Sequence, residues 1–327
     1  MKNSWILTMC RKQTEMKSNV KDFFSEWYIY IILIVFWVTS CSISPYFRTI
    51  SNFSNIFESA VPIALIGLGQ TIVILSGGFD LSVGVTASLA TAIASETMGL
   101  SITLGILLVL GVSFVVGLIN GFGVSKFNIE SFIMTLGMMF LLKGIAFLLR
   151  PTPGGYIPES FQKALLYKIS GFSIVAVLIL ILVAVIGITV LQRRKFGREI
   201  YAVGGDPNAA KMAGINVDKT KMKAFIISAI CAGLGGLFIA ARIGSGNSNA
   251  GDPYLFDSFT VVFMGGTLVT GGIGGYKGTF GSTLIIASLS SILQFMGITI
   301  WYHFIIKGLL LAGVVGIQLY IIRRRTS

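Results

Sequence analysis

The sequence carries little charge for its length. Of its 327 residues, 12% are charged and 54% are hydrophobic, and the mean hydropathy is +0.85. Soluble domains carry roughly 25% charged residues. A water-soluble fold could not bury this much apolar surface, so lipid is the expected solvent for most of the chain.

Cysteine and histidine are also scarce. The three cysteines, Cys10, Cys41 and Cys231, are too few and too scattered for a disulfide framework or a metal site. The single histidine, His303, has no partner for metal binding or acid–base chemistry. We therefore assign no catalytic, cofactor-binding or metal-binding residue.

The motifs of several protein classes are absent. No Walker A sequence, G-x-x-x-x-G-K-[ST], occurs, so the chain is not expected to bind ATP. The G-x-S-x-G and H-E-x-x-H motifs are absent too, which leaves an intramembrane hydrolase without visible machinery. The net charge of +12 does not indicate a nucleic-acid partner, because the basic residues lie in short segments between apolar runs, as in cytoplasmic loops of membrane proteins.

Apolar runs of membrane-spanning length dominate what is present. A helix needs about 20 apolar residues to cross about 30 Å of hydrocarbon. The pattern predicts an all-α polytopic membrane protein with about ten transmembrane helices and glycine-interrupted segments in both halves. The predicted spans are 27–43, 55–75, 83–98, 101–122, 132–149, 172–191, 224–241, 259–270, 282–296 and 303–322. The run 259–270 is short and could cross or re-enter.

The basic segments predict the orientation of the chain. We divide it into a cytoplasmic amino-terminal segment (1–26), a transmembrane domain (27–322) and a basic cytoplasmic tail (323–327). With the amino terminus inside, ten crossings place the loop 192–223 and the tail on the cytoplasmic side, as the positive-inside rule requires. The basic loop 150–170 then lies outside, against that rule.

The loop 192–223 combines positive charge with a compact helix signal. It holds eight Lys or Arg residues against three acids. Asp206 can cap a helix that starts at Pro207, and Gly214 can end it in the left-handed conformation. Such a short helix needs a packing partner, yet no soluble domain of this chain is available to its apolar side chains. We predict that it docks on another protein; a solvated basic loop is the alternative. The docking residues are Arg198, Gly205, Asp206, Asn208, Ala209, Ala210, Met212, Gly214 and Ile215.

Two glycine-rich segments resemble each other. The segments GGFDLSVGVTASL (77–89) and GGIGGYKGTFGST (271–283) align at an offset of 194 with four identities, three of them glycine. Paired glycine-interrupted segments in the two halves of a membrane protein indicate a transport path. Two coincidental glycine-rich turns are the alternative.

Polar side chains in or beside apolar runs are candidates for lining such a path. A charge at membrane depth is costly and usually functional, and Asp80 is the one acid expected there. We favour a second role for Asp80, as the cap of the third span. Uncharged polar residues in apolar runs more commonly form contacts between helices. Lys143 and Lys307 are expected to snorkel to the interface. The path candidates are Gln70, Asp80, Ser82, Asn120, Thr135 and Gln294.

Five stretches carry a family resemblance. They are GGFDLSVG (77–84), GLINGFGVSKFNIESFIMTLGMM (117–139), FGREIYAVGGDPNAAKMAGI (196–215), RIGSGNSNAGDPYLFDSF (242–259) and FMGGTLVTGGIGGYKGTFGS (263–282). In order and spacing they resemble the permease subunits of bacterial ATP-binding-cassette importers of the ribose/monosaccharide class, related members of which import autoinducer-2. The sequence departs from the family near Glu130, where proline is usual, at Asp206, where asparagine is frequent, and at 255–259, where E-L-D-A-I is common.

The resemblance implies a mechanism and partners. Two permease chains, identical or paired with a sister chain, would form one pathway in the bacterial cytoplasmic (inner) membrane. Cytoplasmic ATPase subunits would use the ATP, so this chain would need no cofactor, and an extracytoplasmic binding protein would deliver the sugar. Residues 198–219 match the family's loop that rests on the ATPase. The resemblance leaves the identity of the solute open.

The expected function is therefore inward transport of a monosaccharide or a similar small polar solute. An ion-coupled secondary transporter that acts without an ATPase is the alternative. That class would ordinarily show paired intramembrane acids, and the sequence offers only Asp80. An intramembrane enzyme is a third class, disfavoured by the missing motifs.

Overall fold

The structure, a computed structural model, describes residues 27–326. Two short strands, Lys168–Ile169 (β1) and Phe172–Ser173 (β2), form an antiparallel hairpin. The helices are α1 (Trp27–Ile43), α2 (Ile50–Leu75), α3 (Val83–Thr97), α4 (Ile102–Lys126), α5 (Ser131–Leu149), α6 (Glu159–Leu165), α7 (Ile174–Arg193), α8 (Lys195–Gly205), α9 (Pro207–Met212), α10 (Val217–Ile243), α11 (Asp252–Met264), α12 (Tyr276–Phe295) and α13 (Ile300–Thr326).

Long apolar helices make this chain a polytopic membrane protein. Among residues 27–326, seven helices are long and apolar enough to cross a membrane: α2, α4, α5, α7, α10, α12 and α13. Helix α1 is apolar but shorter, and α3 and α11 have 15 and 13 residues. The all-α fold class predicted from the sequence is confirmed.

Helix α2 lies at the centre of the bundle. In its 18-residue apolar stretch, 94% of the residues are buried, and the helix packs against α7, α10, α11 and α12. Glycine permits close contact with α10, since a Cβ atom on Gly69 would lie 2.7 Å from the Cα of Ser228 in α10. Small residues have this role in membranes, where apolar surface alone gives a helix no preference for another helix over lipid.

Two helix breaks face each other near the end of the bundle that carries α9. The first break, residues 76–82, separates α2 from α3, and the second break, residues 265–275, separates α11 from α12. The Gly272 N–H group in the second break donates to the Leu75 carbonyl oxygen at 3.1 Å. The two similar glycine-rich segments of the sequence are therefore neighbours in space.

The opposite end of the bundle is closed by loops. Gly154 and Gly246 exchange backbone hydrogen bonds of 2.9 and 2.7 Å, which join the loop after α5 to the loop after α10. The Arg150 guanidinium pairs with the Glu96 carboxylate at the end of α3. Short connections of this kind hold α3, α5 and α10 together at this end.

Several helices begin earlier than their apolar runs predict. Helix α2 begins at Ile50 instead of residue 55, α10 at Val217 instead of 224, and α11 at Asp252 instead of 259. The Thr49 hydroxyl and the Asn216 amide oxygen cap the first two by accepting from a backbone N–H group three residues later. Hydrophobicity locates the part of a helix that lies in lipid, whereas hydrogen bonding decides where the helix begins.

Helix α8 was not predicted. Its buried residues, Gly197, Ile200 and Val203, recur every three positions and so share one face. This three-residue spacing could have predicted the helix, but the basic residues around these positions favoured a loop.

Candidate functional site

A short capped helix, α9, projects from the bundle beside both breaks. The Asp206 carboxylate accepts from the backbone N–H groups of Asn208 and Ala209 at 2.8 and 3.2 Å. Pro207 occupies the first turn, and Gly214 ends the helix with φ of +81°. The predicted caps are confirmed, because they depend only on neighbouring residues in the chain.

One face of α9 is exposed and the other packs on its own chain. Met212 is 90% exposed, and Asn208, Ala209 and Lys211 are exposed as well. Ala210 is only 3% exposed, because α9 packs on α8 and α10. The prediction that the apolar side chains of this helix find no partner within the chain is therefore wrong for Ala210.

The other predicted docking residues surround α9. Arg198 is exposed on α8, where its guanidinium lies 3.5 Å from the carbonyl oxygen of Arg193. Gly205 is exposed immediately before the cap, and Ile215 is half-buried immediately after the helix. The surface around α9 is thus basic, with one fully projecting apolar side chain, Met212.

The first break is built around a buried carboxylate. Asp80 is 0% exposed. One of its oxygens accepts from the backbone N–H and hydroxyl groups of Ser82 at 3.0 and 2.6 Å, and the other accepts from the Ser228 hydroxyl in α10 at 2.9 Å. Asp80 therefore binds Ser82, the residue immediately before α3, and also binds α10. The predicted cap is not formed, because Asp80 accepts from no backbone N–H group within α3.

Helices α4 and α5 complete the polar cluster around the first break. The Asn120 amide donates to the Ser82 hydroxyl at 3.0 Å. The hydroxyl groups of Ser131 and Thr135 accept from backbone N–H groups of the break at 3.0 and 3.1 Å. Backbone that leaves a helix inside a membrane needs such partners, because no water is available to supply them.

Four of the six predicted path residues therefore meet in one cluster, and all four are fully buried. The cluster supports the helix break. Sequence reasoning missed two members, Ser131 and Ser228. The only signal was a hydroxyl side chain in or beside an apolar run, which is common in membrane helices.

The remaining two candidates lie elsewhere. Gln70 in α2 is fully buried, and neither atom of its amide group has a partner between residues 27 and 326. Gln294 is exposed near the end of α12, where it lines a cavity of about 850 Å³. We call this space the α12–α13 cavity.

The α12–α13 cavity combines amide and hydroxyl groups with paired charges. Within the described part of the chain, the side-chain amides of Asn55 and Gln294 have no hydrogen-bond partner. The cavity volume and the mixture of apolar walls with a few polar groups suit a small polar solute. The lining residues are Asn52, Asn55, Ile56, Ser59, Arg242, Pro253, Ala287, Ser290, Ser291, Gln294, Phe295, Ile298, His303, Phe304 and Lys307.

Two lysines predicted to snorkel are paired with acids. The Lys307 ammonium lies 2.9 Å from both carboxylate oxygens of Asp257. The Lys143 ammonium lies 2.6 Å from the Asp252 carboxylate. A close opposite charge offsets part of the cost of burial, so neither lysine has to reach the interface.

Two acids other than Asp80 are also buried. Glu58 and Asp257 are 5% and 3% exposed. Glu58 lies 2.9 Å from the Lys168 ammonium and 4.0 Å from Arg242, whereas Asp257 is paired with Lys307. Both acids have cationic partners that are distant in sequence, which no local pattern reveals.

In the region from residue 27 to residue 326, no three His, Cys, Asp or Glu side chains converge to hold a metal ion. What the structure presents is an exposed helix, two helix breaks beside it and a polar cavity at the opposite end.

Comparison with known proteins adds a family and relatives. The family model described as branched-chain amino acid transport system / permease component matches residues 52–315. The ribose import permease protein RbsC of Escherichia coli (strain K12) is 31% identical over 289 residues, which cover 86% of this chain and 89% of that protein. RbsC of Haemophilus influenzae is 34% identical over 290 residues, with the same two coverages.

A galactose transporter subunit is also similar. The galactose/methyl galactoside import permease protein MglC of Escherichia coli (strain K12) is 29% identical over 323 residues, or 92% of this chain and 96% of that protein. No solved structure matches the chain significantly. The match to the family model, residues 52–315, covers the breaks, α9 and the α12–α13 cavity.

Proposed function

Because the chain belongs to the family described as branched-chain amino acid transport system / permease component, we propose that it carries a monosaccharide or a similar small polar solute into the cytoplasm, with ATP used by a separate subunit. The observation that carries this proposal is the similarity, over 86% of the chain, to a permease named for ribose import. The galactose relative supports the same solute class. The chain is a transport component and not an enzyme.

The proposed topology has ten crossings in the bacterial cytoplasmic (inner) membrane. The seven long helices and the shorter α1, α3 and α11 supply them. In this arrangement α8 and α9 face the cytoplasm, together with Lys126, Lys277 and the basic carboxyl terminus. The loop with α6 and the hairpin faces outward, as does the mouth of the α12–α13 cavity.

In this proposal the cytoplasmic ATPase binds the exposed face of α9. Met212 supplies an apolar anchor, and Arg198 and Lys211 supply positive charge around it. Such charge suits a groove that is partly acidic, and it steers assembly more than it adds affinity. The chain itself needs no ATP or other cofactor.

The solute path is proposed to begin at the α12–α13 cavity. Gln294 and Asn55 offer unpaired amide groups there, which suit the hydroxyl groups of a sugar. An extracytoplasmic binding protein would deliver the sugar to this side, and a second permease chain, identical or not, would complete the pathway. The buried cluster around Asp80 would hold the first break in place beside that path.

An ion-coupled transporter is the weaker alternative. Its argument would rest on the buried acids Glu58, Asp80 and Asp257. Two of these are paired with cations and the third accepts three hydrogen bonds, so each has partners other than a transported ion.

Proteoliposomes separate the two functions. We expect the purified chain alone to move no D-ribose or D-galactose. The chain with its ATPase and binding protein should take up one of these sugars only when ATP is present. Uptake by the chain alone under a sodium or proton gradient would contradict the proposed function.

A further inference from the structure

Three backbone segments meet beside α9 with no side chain between them. They are the end of α2 with the first break, the last turn of α8, and the second break. The Gly272 N–H group donates to the Leu75 carbonyl oxygen at 3.1 Å. A Cβ atom on Gly204 would overlap that same oxygen, and one on Gly271 would lie 3.0 Å from the Cα of Gly77. We call these five residues the backbone junction.

A tyrosine of α8 adds a fourth connection. The Tyr201 hydroxyl donates to the Gly274 carbonyl oxygen in the second break at 2.9 Å. Burial raises the pKa of the Tyr201 hydroxyl, so it keeps its proton and remains a donor. Only Gly205 separates Gly204 from Asp206, the cap of α9.

Contacts between backbones transmit displacement better than contacts between side chains. A side chain can change rotamer when its neighbour moves. A backbone segment in contact with another backbone must shift as a whole or change φ and ψ. Close packing leaves few voids to absorb such a shift. A movement of α9 would therefore reach both breaks at the same time.

We propose that Gly204 and Tyr201 are positioning residues that couple α9 to both helix breaks, so that one displacement of α9 repositions α2 against α3 and α11 against α12. This inference rests on the proposed function, in which an ATPase displaces α9. Neither residue contacts the solute. If these residues only helped the bundle to pack, their loss would not separate transport from ATP hydrolysis. We expect the variants to lose the coupling between α9 and the breaks while the ATPase stays bound.

Alanine substitutions of glycine provide the test. Gly204→Ala places a methyl group against the Leu75 carbonyl oxygen, whereas Gly111→Ala in α4 places one where no atom lies within 4 Å. Each importer, assembled with its ATPase and binding protein, is assayed for the amount of sugar taken up per ATP hydrolysed, with whichever of D-ribose and D-galactose the wild type transports. Gly111→Ala should match the wild type. Gly204→Ala should lower the ratio about tenfold, a common size for a coupling change, while the ATPase stays bound.

Two further variants test whether the effect of Gly204→Ala comes from its contact with Leu75 or from the loss of a flexible glycine. A Cβ atom on Gly205 would meet no atom within 4 Å, so Gly205→Ala should lower the ratio less than Gly204→Ala. Tyr201→Phe keeps the ring and removes one hydrogen bond, so it should lower the ratio up to about fivefold. If Gly204→Ala fails to assemble, Tyr201→Phe decides the question.

The possible failures are distinguishable. Wild-type importer without ATP-dependent uptake contradicts the proposed function, and the coupling inference fails with it. Active wild type with an unchanged ratio in Gly204→Ala and Tyr201→Phe overturns the coupling inference alone. Loss of the ATPase from Tyr201→Phe also overturns it, because α8 would then support docking and not coupling.

Discussion

The two breaks in the bundle are similar in sequence but are held in different ways. Buried side chains hold the first break, with Asp80 at the centre and 0% exposed. Backbone groups mainly hold the second break. The Leu268 N–H group donates to the Ile273 carbonyl at 2.9 Å, and the Gly272 N–H group donates to Leu75. Ile273 is 62% exposed, so the second break is also the more open of the two.

The aligned positions explain this difference. Gly84 and Gly278, which correspond in the two segments, both leave no room for a Cβ atom beside a backbone carbonyl group. Shared glycines therefore permit close approach in both breaks. Asp80 aligns with Gly274, and at this position the first break supplies a carboxylate that accepts from Ser228 of α10, whereas the second break supplies only the Gly274 carbonyl oxygen, which accepts from Tyr201 of α8. We infer that the first break is the firmer one.

The largest expected effect follows removal of Asp80. Asp80→Ala removes the acceptor of the hydrogen bonds from Ser82 and Ser228. We expect the free energy of unfolding to fall by about 3 kcal/mol, since hydrogen bonds to charged groups contribute about 1.5–3 kcal/mol each. Thermal unfolding in detergent micelles would measure it. Asp80→Asn retains an acceptor and should lose less. Equal losses in both variants would mean that the carboxylate does not anchor the first break.

A smaller effect is expected at the exposed face of α9, between the two breaks. Met212→Asp should weaken ATPase binding by about 2 kcal/mol, the size of a typical interface hot spot. Co-purification and surface-immobilised binding would measure the loss, and Met212→Leu should retain most of the affinity. The thermal stability of the permease should not change. Retained binding by Met212→Asp would contradict docking at α9, whereas Ala210→Asp would test folding, because Ala210 is buried.

The smallest effect compares two threonines that each bind one break, Thr135 in α5 and Thr267 within the second break. The Thr135 hydroxyl accepts from the Leu81 N–H group at 3.1 Å, and the Thr267 hydroxyl accepts from the Gly275 N–H group at 3.3 Å. Thr135→Val and Thr267→Val should each cost about 1 kcal/mol, with the greater loss at the shorter bond in the first break. Hydrogen exchange should accelerate only in the break that is altered. A greater loss from Thr267→Val would reverse our ranking of the two breaks.

Local features of the site were predictable from the sequence. Asp206, Pro207 and Gly214 predicted both ends of α9, because capping acts over three or four residues. The starts of α2 and α10 were missed, because Thr49 and Asn216 add polar turns outside the apolar runs.

Partners distant in sequence were not predictable. Lys307 and Asp257 are 50 residues apart, and Ser228 is 148 residues from Asp80. Each side chain alone is compatible with a lipid interface, a helix contact or a solute path. Only the packing of α11 on α13, and of α10 beside the first break, selects among these roles.

Composition and short-range hydrogen bonding are enough to predict the lipid environment, the helical class and the capped helix α9 from the sequence. Only the packing of the helices shows that four predicted path residues support a helix break, that two half-buried lysines have acidic partners, and that Gly77, Gly204 and Gly271 meet. A glycine in the sequence shows only that a side chain is absent at that position. Which backbone occupies the vacant space depends on how the whole bundle packs.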